Sequence, residues 1–327
     1  MTFTIIYSFL RYNKLMKITD TDLYHRHAAK ILSLQERGVD VSTLADYLEN
    51  LHSIPDRFYK YRSANEYNFD SIANDYLYIP SADLMDDQFE LAMSTIGRIS
   101  PDDREEIEKT YLPYYLSCLE KDDLKQVEEY AAKVDRFRAA FSLKNQDHYV
   151  VEMLEQLEKI RSGLGIFSLS EEGANQVMWQ MYGDNYKGFM IAYDMTSLPD
   201  RYAKKIVKVK YAQERDADPL KLYVDMLLGK SKGLGLELLP GLFEWILGVL
   251  ATKNEEWAFQ KEWRIIGKNA EKIKSPRIDA VYMGKHIKEE DRARLMQLSR
   301  EKGFRLYDQY DDFRKMAIQY RETEADL

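Results

Sequence analysis

The sequence holds a single cysteine, Cys118, and five histidines in 327 residues. One thiol excludes a disulfide framework and any cysteine-rich zinc site, and five scattered histidines argue against a His-based metal centre, so no zinc is expected. There is no basic excess: 47 Lys and Arg against 55 Asp and Glu leave a formal charge of −8. That balance gives no strong nucleic-acid signal and argues against binding by bulk charge, while leaving room for a local basic groove. The Lys204, Lys205, Lys208 and Lys210 run reads as a solvated strand face before it reads as a phosphate track.

No run is long and apolar enough for a bilayer. The most apolar stretch, Leu234 to Leu250, carries Glu237, Pro240 and Glu244 and falls short of the roughly 20 residues a span needs. It reads as a buried helix, and no membrane partner is expected. The N-terminal MTFTIIYSFLRYNKLMK has no basic region before its apolar part and no small-residue cleavage site. Met16, which opens a helix-like stretch, is the expected start in preference to Met1, and the expected location is the cytoplasm. Phosphate-binding and hydrolase signatures (GxxxxGK[ST], strand-linked GxGxxG, HExxH, GxSxG) are missing too. GKSKGLG at 229–235 has the wrong order for a phosphate loop and follows a helix.

What is present is apolar and aromatic. An apolar fraction of 45% and 13% aromatics, with 24 tyrosines, allow enough burial to offset ordering entropy and exclude wholesale disorder. Periodicity divides the chain. Residues 1–55 read as a helical N-terminal segment, with Leu23, His27, Ile31 and Leu34 at spacings of three or four. Residues 56–310 read as one mixed core, with a charged helical insertion at about 100–162 and another at about 213–256, and 311–327 as a C-terminal tail. Strands are expected at 58–62, 76–80, 166–170, 188–193, 206–211, 263–266, 278–283 and 304–307. Their irregular spacing among helices predicts an α+β fold, with a mixed, largely antiparallel sheet of about seven strands. The insertions are candidate docking surfaces for a protein partner.

Four clusters could carry chemistry. In Tyr59 to Ser63, alternation puts Lys60 and Arg62 on one face, with Tyr59 and Tyr61 on the other. SADLMDDQFE at 81–90 gathers Asp86, Asp87 and Glu90, which could bind a hard cation or simply cap a helix. In the third, Ser168 and Ser170 share a strand face, and Trp179 and Tyr182 lie three apart on a short helix, where packing on the sheet is the ordinary outcome. The fourth runs from Glu255 through Trp257 and Phe259 to Gln260-Lys261-Glu262-Trp263-Arg264, whose end is read as a strand with Gln260, Glu262 and Arg264 on one face. Gln and Glu seldom enter strands, and broken local preference often marks function.

Together these clusters resemble a bacterial domain-of-unknown-function family, the one numbered 2971. The resemblance rests on Tyr59 to Arg62, Asp86-Asp87-Gln88-Phe89-Glu90, Phe167-Ser168, Met178-Trp179-Gln180-Met181-Tyr182, Lys187-Gly188 and Gln260 to Arg264, and covers roughly residues 57 to 310. Asp86 and Gln88 depart from its usual Asn and Pro. The resemblance implies a family without an activity; such proteins occur among bacterial and prophage accessory genes, which makes phage defence an expected context.

Order and chemistry also resemble ADP-ribosyltransferases of the Arg-Ser-Glu kind, through Arg62, Ser168-Leu169-Ser170 and Gln260-Lys261-Glu262. The resemblance implies NAD as cofactor and an unknown acceptor, macromolecular or small. Glu262, with Gln260, would stabilise the cation formed as nicotinamide leaves, Arg62 would hold a pyrophosphate oxygen, and the serines would orient ribose and glutamate. Tyr59, Trp179 or Tyr182 would stack on nicotinamide. Two other classes compete: a non-catalytic sensor or interaction module, and a metal-dependent nuclease using Asp86, Asp87, Glu90, Glu262 and Lys261. Convergence of Arg62, Ser168 and Glu262 in one cleft would favour NAD chemistry.

Overall fold

The computed structural model describes residues 54–85, 101–117, 127–140, 162–199, 202, 205–214, 224 and 249–323. Nearly all of the helical segment read at 1–55, the acidic turn at Asp86, Asp87 and Glu90, and most of the helical insertion read at about 213–256 lie outside these residues. In chain order the elements are β1 (Arg57–Arg62), α1 (Glu66–Ala73), β2 (Tyr76–Ile79), α2 (Pro101–Ser117), α3 (Val127–Ala140), β3 (Leu164–Ser170), α4 (Gln176–Met181) and β4 (Phe189–Asp194). There follow β5 (Ile206–Lys208), β6 (Lys210–Ala212), β7 (Thr252–Asn254), β8 (Glu262–Lys268), β9 (Glu271–Lys274), β10 (Arg277–Met283), α5 (Glu289–Lys302), β11 (Arg305–Asp312) and β12 (Ala317–Glu322).

Two compact units form. One comprises 1–49, 85–163 and 214–252, and the other 50–84, 164–213 and 253–327. In the first, α2 and α3 join through Tyr115 and Phe137, whose rings lie 5.4 Å apart, and through a bidentate Arg138–Glu108 pair. The second holds an eight-stranded sheet in the order β12-β11-β10-β4-β1-β3-β8-β5, with β2–β9 and β6–β7 as separate two-stranded ribbons. Within the large sheet only β10 and β11 run parallel. A parallel pair needs a crossover, which α5 supplies. The helix carries three acids in its first turn and Arg300 and Lys302 in its last, matching its dipole, and stops at Gly303 in the left-handed region (φ 78°).

The fold is therefore α+β with a mixed, mostly antiparallel sheet, and its strands number eight where about seven were expected. The strand read at 206–211 is broken at Val209, whose N–H bonds Glu262 O, so β5 stays on β8 while β6 leaves to pair with β7. Residues 311–327, read as a tail, instead contain β12, the edge strand of the sheet: Ile318 and Tyr320 alternate with polar neighbours and pack on its inner side. The helix–strand–ribbon pattern leaves no helix among the described residues long and apolar enough to cross a membrane.

Alternation gives the sheet two different faces. One carries the larger core: Phe58, Phe167, Leu169, Phe189, Ile191, Trp263, Ile265, Val281 and Met283, covered by Phe69 and Ile72 of α1, Leu77 and Ile79 of β2, and Leu295 and Leu298 of α5. Each such side chain contributes about 1.5–3 kcal/mol on burial. The other face carries a smaller cluster in which Trp179 of α4 packs on Tyr61 and Met190, ringed by Tyr59, Tyr182, Tyr186, Tyr282 and Tyr320. Between α4 and β4, three successive residues, Asp184, Asn185 and Tyr186, adopt left-handed φ. The step into β4 that follows tolerates only glycine, since a Cβ on Gly188 would lie 2.0 Å from Arg62 O.

Candidate functional site

β3 and β8 pair antiparallel with Ser170 opposite Glu262 and Ser168 opposite Arg264, so these four side chains share a face. Trp263 and Ile265 point the other way, into the larger core. Apolar anchoring of one side of β8 thus fixes a glutamate and an arginine on the other.

The approach to β8 differs from the sequence reading. Gln260 is not in the strand: it ends a 3-10 turn over Glu255–Gln260, and Lys261, left-handed at φ 41°, swings the chain into β8. Asn254 starts that turn by accepting from Glu256 N–H at 3.0 Å. The turn still brings Gln260 beside Glu262, because Lys253 Nζ donates to Gln260 Oε1 at 2.9 Å and to Glu262 Oε2 at 3.2 Å. Arg264 completes the centre, with Nε 3.0 Å from Glu262 Oε1 and Nη2 3.3 Å from Oε2. Lys253, Gln260, Glu262 and Arg264 are all at most 4% exposed. Both carboxylate oxygens of Glu262 are therefore engaged by cations.

A polar second layer fixes this centre. Ser170 Oγ donates to Gln260 O at 2.6 Å and accepts from Glu172 N–H at 2.9 Å. Gln260 Nε2 donates to the Tyr182 hydroxyl at 2.7 Å, and Glu262 N–H donates to the Tyr211 hydroxyl at 2.8 Å. Burial raises the Tyr211 phenol above its ordinary value. Lys253 Nζ also lies 4.8 Å from the Trp257 ring centroid. Asn175 ties α4 to the turn, capping Met178 N–H with its oxygen and donating to Phe259 O, each at 3.1 Å. In an environment this dry, each such bond matters more than its exposed counterpart.

Of the residues singled out from sequence, Glu262, Gln260, Ser170 and Tyr182 come together, with Ser168 one pleat away opposite Arg264. Tyr59 pairs with Ser170 in register and so shares their face; its ring lies against the Gly173 backbone and edges Tyr282 at 6.3 Å. Trp179 is fully buried: its indole N–H donates to Tyr320 OH at 2.9 Å and its ring meets Tyr61 edge-on at 5.3 Å, so it packs the sheet instead of offering a stacking surface. Arg62 does not join the others. It shares a strand face with Phe58, which packs on Trp263 at 5.3 Å, and Trp263 points away from Glu262. The expected convergence of Arg62, Ser168 and Glu262 therefore fails, because three strands of alternation place Arg62 across the sheet. Lys261, expected beside a metal, pairs with Glu172 at 2.8 Å. Among the described residues no group of three or more His, Cys, Asp or Glu side chains is placed so that it could hold a metal ion.

Sequence reasoning missed Lys253 and Tyr211, while Trp257 stood in the fourth cluster without a role. Arg264 was placed correctly beside Glu262, two residues along a strand, but its grip on that carboxylate needed the third dimension. Lys253 follows an apolar run and has no local pattern; only the fold carries it to Glu262.

Comparison with known proteins finds no matching curated protein and no matching solved structure. One family model, described as Protein of unknown function (DUF2971), matches residues 178–265, from α4 to β8, a stretch that includes Tyr182, Lys253, Gln260, Glu262 and Arg264.

Proposed function

We propose that the protein is a non-catalytic sensor or interaction module organised around the Lys253–Glu262–Arg264 centre. The observation that carries this reading is the state of Glu262: buried, with both oxygens taken by Lys253 and Arg264. A carboxylate that is to stabilise a sugar cation must meet charge that develops in the substrate. Here its charge is already met within the protein, and its partners hold it in place. The position of Arg62 supports the same reading, since the pyrophosphate grip required for NAD lies on the far side of the sheet.

The experiment is nicotinamide release from NAD by the full chain, compared with Glu262→Gln. No release above a protein-free blank from either protein is the expected result. Release by the native chain that Glu262→Gln abolishes overturns the reading. It would restore the second one, an NAD-using ADP-ribosyltransferase, which one observation favours: Ser170, Gln260 and Glu262 lie side by side with the Tyr182 hydroxyl.

A further inference from the structure

The two ends of the large sheet are not alike. At one, β5 offers only Ile206–Lys208. At the other, β12 runs from Ala317 to Glu322 without proline and in unbroken register with β11, and no described strand pairs with its outer side. An edge of that regularity is a template for a further strand. The ladder fixes which groups it offers. Thr323 N–H donates to Leu306 O. Hydrogen-bonded pairs alternate along an antiparallel ladder, so Ala317, Gln319 and Arg321 turn their backbone groups to β11, while Ile318, Tyr320 and Glu322 turn theirs outward. Among the described residues, the Gln319 amide is the one group that reaches this outer row, with Nε2 donating to Ile318 O at 2.9 Å.

The edge is ordered before any partner arrives. Ile318 is buried, and Tyr320 meets the Tyr282 ring at 4.6 Å and accepts from the Trp179 indole at 2.9 Å. Pairing along β12 therefore costs little ordering entropy. Beside it, Phe313 and Met316 of the β11–β12 turn are each 86% exposed.

Charge decides what fits. Arg314 and Lys315 stand before β12, and Glu322 ends it. A strand laid antiparallel with the same order brings its acidic end to this basic turn, and β12 of a second copy has that order. Like charges directly opposite are destabilising, which limits the register. A two-fold axis at Arg321 would oppose two arginines, and one at Ile318 would set Lys315 against Arg321. Axes at Gln319 and Tyr320 avoid both clashes, and the one at Gln319 gives the longer ladder. It sets Ile318 of one copy opposite Tyr320 of the other, and Met316 opposite Glu322, so that all the outward backbone groups find partners.

We infer that the β12 edge pairs two copies of this chain, antiparallel about a two-fold axis at Gln319, joining their sheets into one. The inference goes beyond the reading of the Lys253–Glu262–Arg264 centre and does not depend on it.

Sedimentation velocity of the full chain over a concentration series tests the inference. The native chain should move reversibly from 38.5 kDa towards twice that mass below about 100 μM, since one strand edge is a small interface with affinity on the micromolar scale. Gln319→Lys sets two ammonium groups face to face across the axis and should weaken the dimer at least tenfold. Gln319→Glu should do the same alone, and mixing the two variants should restore dimers. Gln319→Ala removes the cap on Ile318 O without adding charge and should dimerise at least as well as the native chain. A native chain that stays monomeric, a dimer unchanged in Gln319→Lys, a loss in Gln319→Ala as large as in Gln319→Lys, or a mixture that stays monomeric would each overturn the inference. Should Gln319→Lys fail to fold, Glu322→Pro decides it: the Glu322 N–H points outward, so proline spares the β11 ladder and should still cost the dimer at least tenfold.

Discussion

The two faces of the sheet treat buried charge in opposite ways. On one, Glu262 is enclosed by Lys253 and Arg264, and the second layer of Gln260, Ser170, Tyr182 and Tyr211 leaves little for a ligand to complete. On the other, Arg62 rests on Phe167 with its Nε unpartnered. A closed ionic network stabilises one geometry and resists change, because removing any member strands the rest in low dielectric. A cation resting on an aromatic ring has no such network to lose.

The sharpest way to break the comparison is Glu262→Gln. It keeps the shape but leaves Lys253 and Arg264 buried without their carboxylate, and loss of one partner from a buried pair costs about 3–5 kcal/mol. Urea denaturation of the full chain should show a lower midpoint at an unchanged slope. Replacing Lys253, Glu262 and Arg264 together by apolar residues of similar volume should recover much of that loss. A negligible effect of Glu262→Gln would mean that the centre is not closed, and the contrast between the faces would collapse.

Next comes alkaline pH, read through Tyr193. Burial raises its phenol to about 12, with Arg62 pulling it partly back. A group whose folded pKa is raised contributes stability that is fully present below its unfolded value, near 10, and is lost as pH climbs through the folded value. Two units correspond to roughly 2–3 kcal/mol lost between about pH 10 and 12. Tyr61, Tyr320 and Tyr211 are raised by burial as well, so the native chain should weaken steeply there. Denaturation midpoints at pH 9 and 11.5 should converge more closely for Tyr193→Phe than for the native chain. Equal losses in both would place Tyr193 in a less buried setting.

Smaller still is Asn175→Ala, which removes the α4 cap and the link to Phe259 O. A lost cap costs about 1 kcal/mol. The same variant should loosen the Gln260 turn, read as faster amide exchange at Lys261 and Glu262 with little change at β10 or β11.

Much of the fold was legible because period follows burial. Phe58 to Arg62, Ile166 to Ser170 and Gly188 to Tyr193 alternate or run apolar as strands do, and they form three adjacent strands at the middle of the sheet. β9 was not, since Glu271-Lys272-Ile273-Lys274 offers one apolar side chain and is a strand only because β2 pairs with it. β12 had the alternation of Ile318 and Tyr320 but stood where a tail was assumed. At the site, facing was readable and proximity was not. Alternation correctly put Lys60 with Arg62 and Ser168 with Ser170, yet nothing local says that the face of Arg62 and the face of Glu262 are different sides of one sheet. That relation comes from pairing, through Tyr59 opposite Ser170 and Ser170 opposite Glu262.

The smallest expected effect is the most telling. Arg62→Met removes a half-buried charge from the end of a central strand of the same sheet. Methionine keeps the aliphatic stem against Phe167, and the lost guanidinium leaves no carboxylate behind it. The unfolding free energy should therefore move by no more than about 1 kcal/mol in either direction, with any gain reflecting relief of an unpaired half-buried cation. A loss as large as that of Glu262→Gln would mean that Arg62 is held by an interaction within the folded chain. The two faces would then be alike, each a closed network, and the difference in their chemistry would disappear.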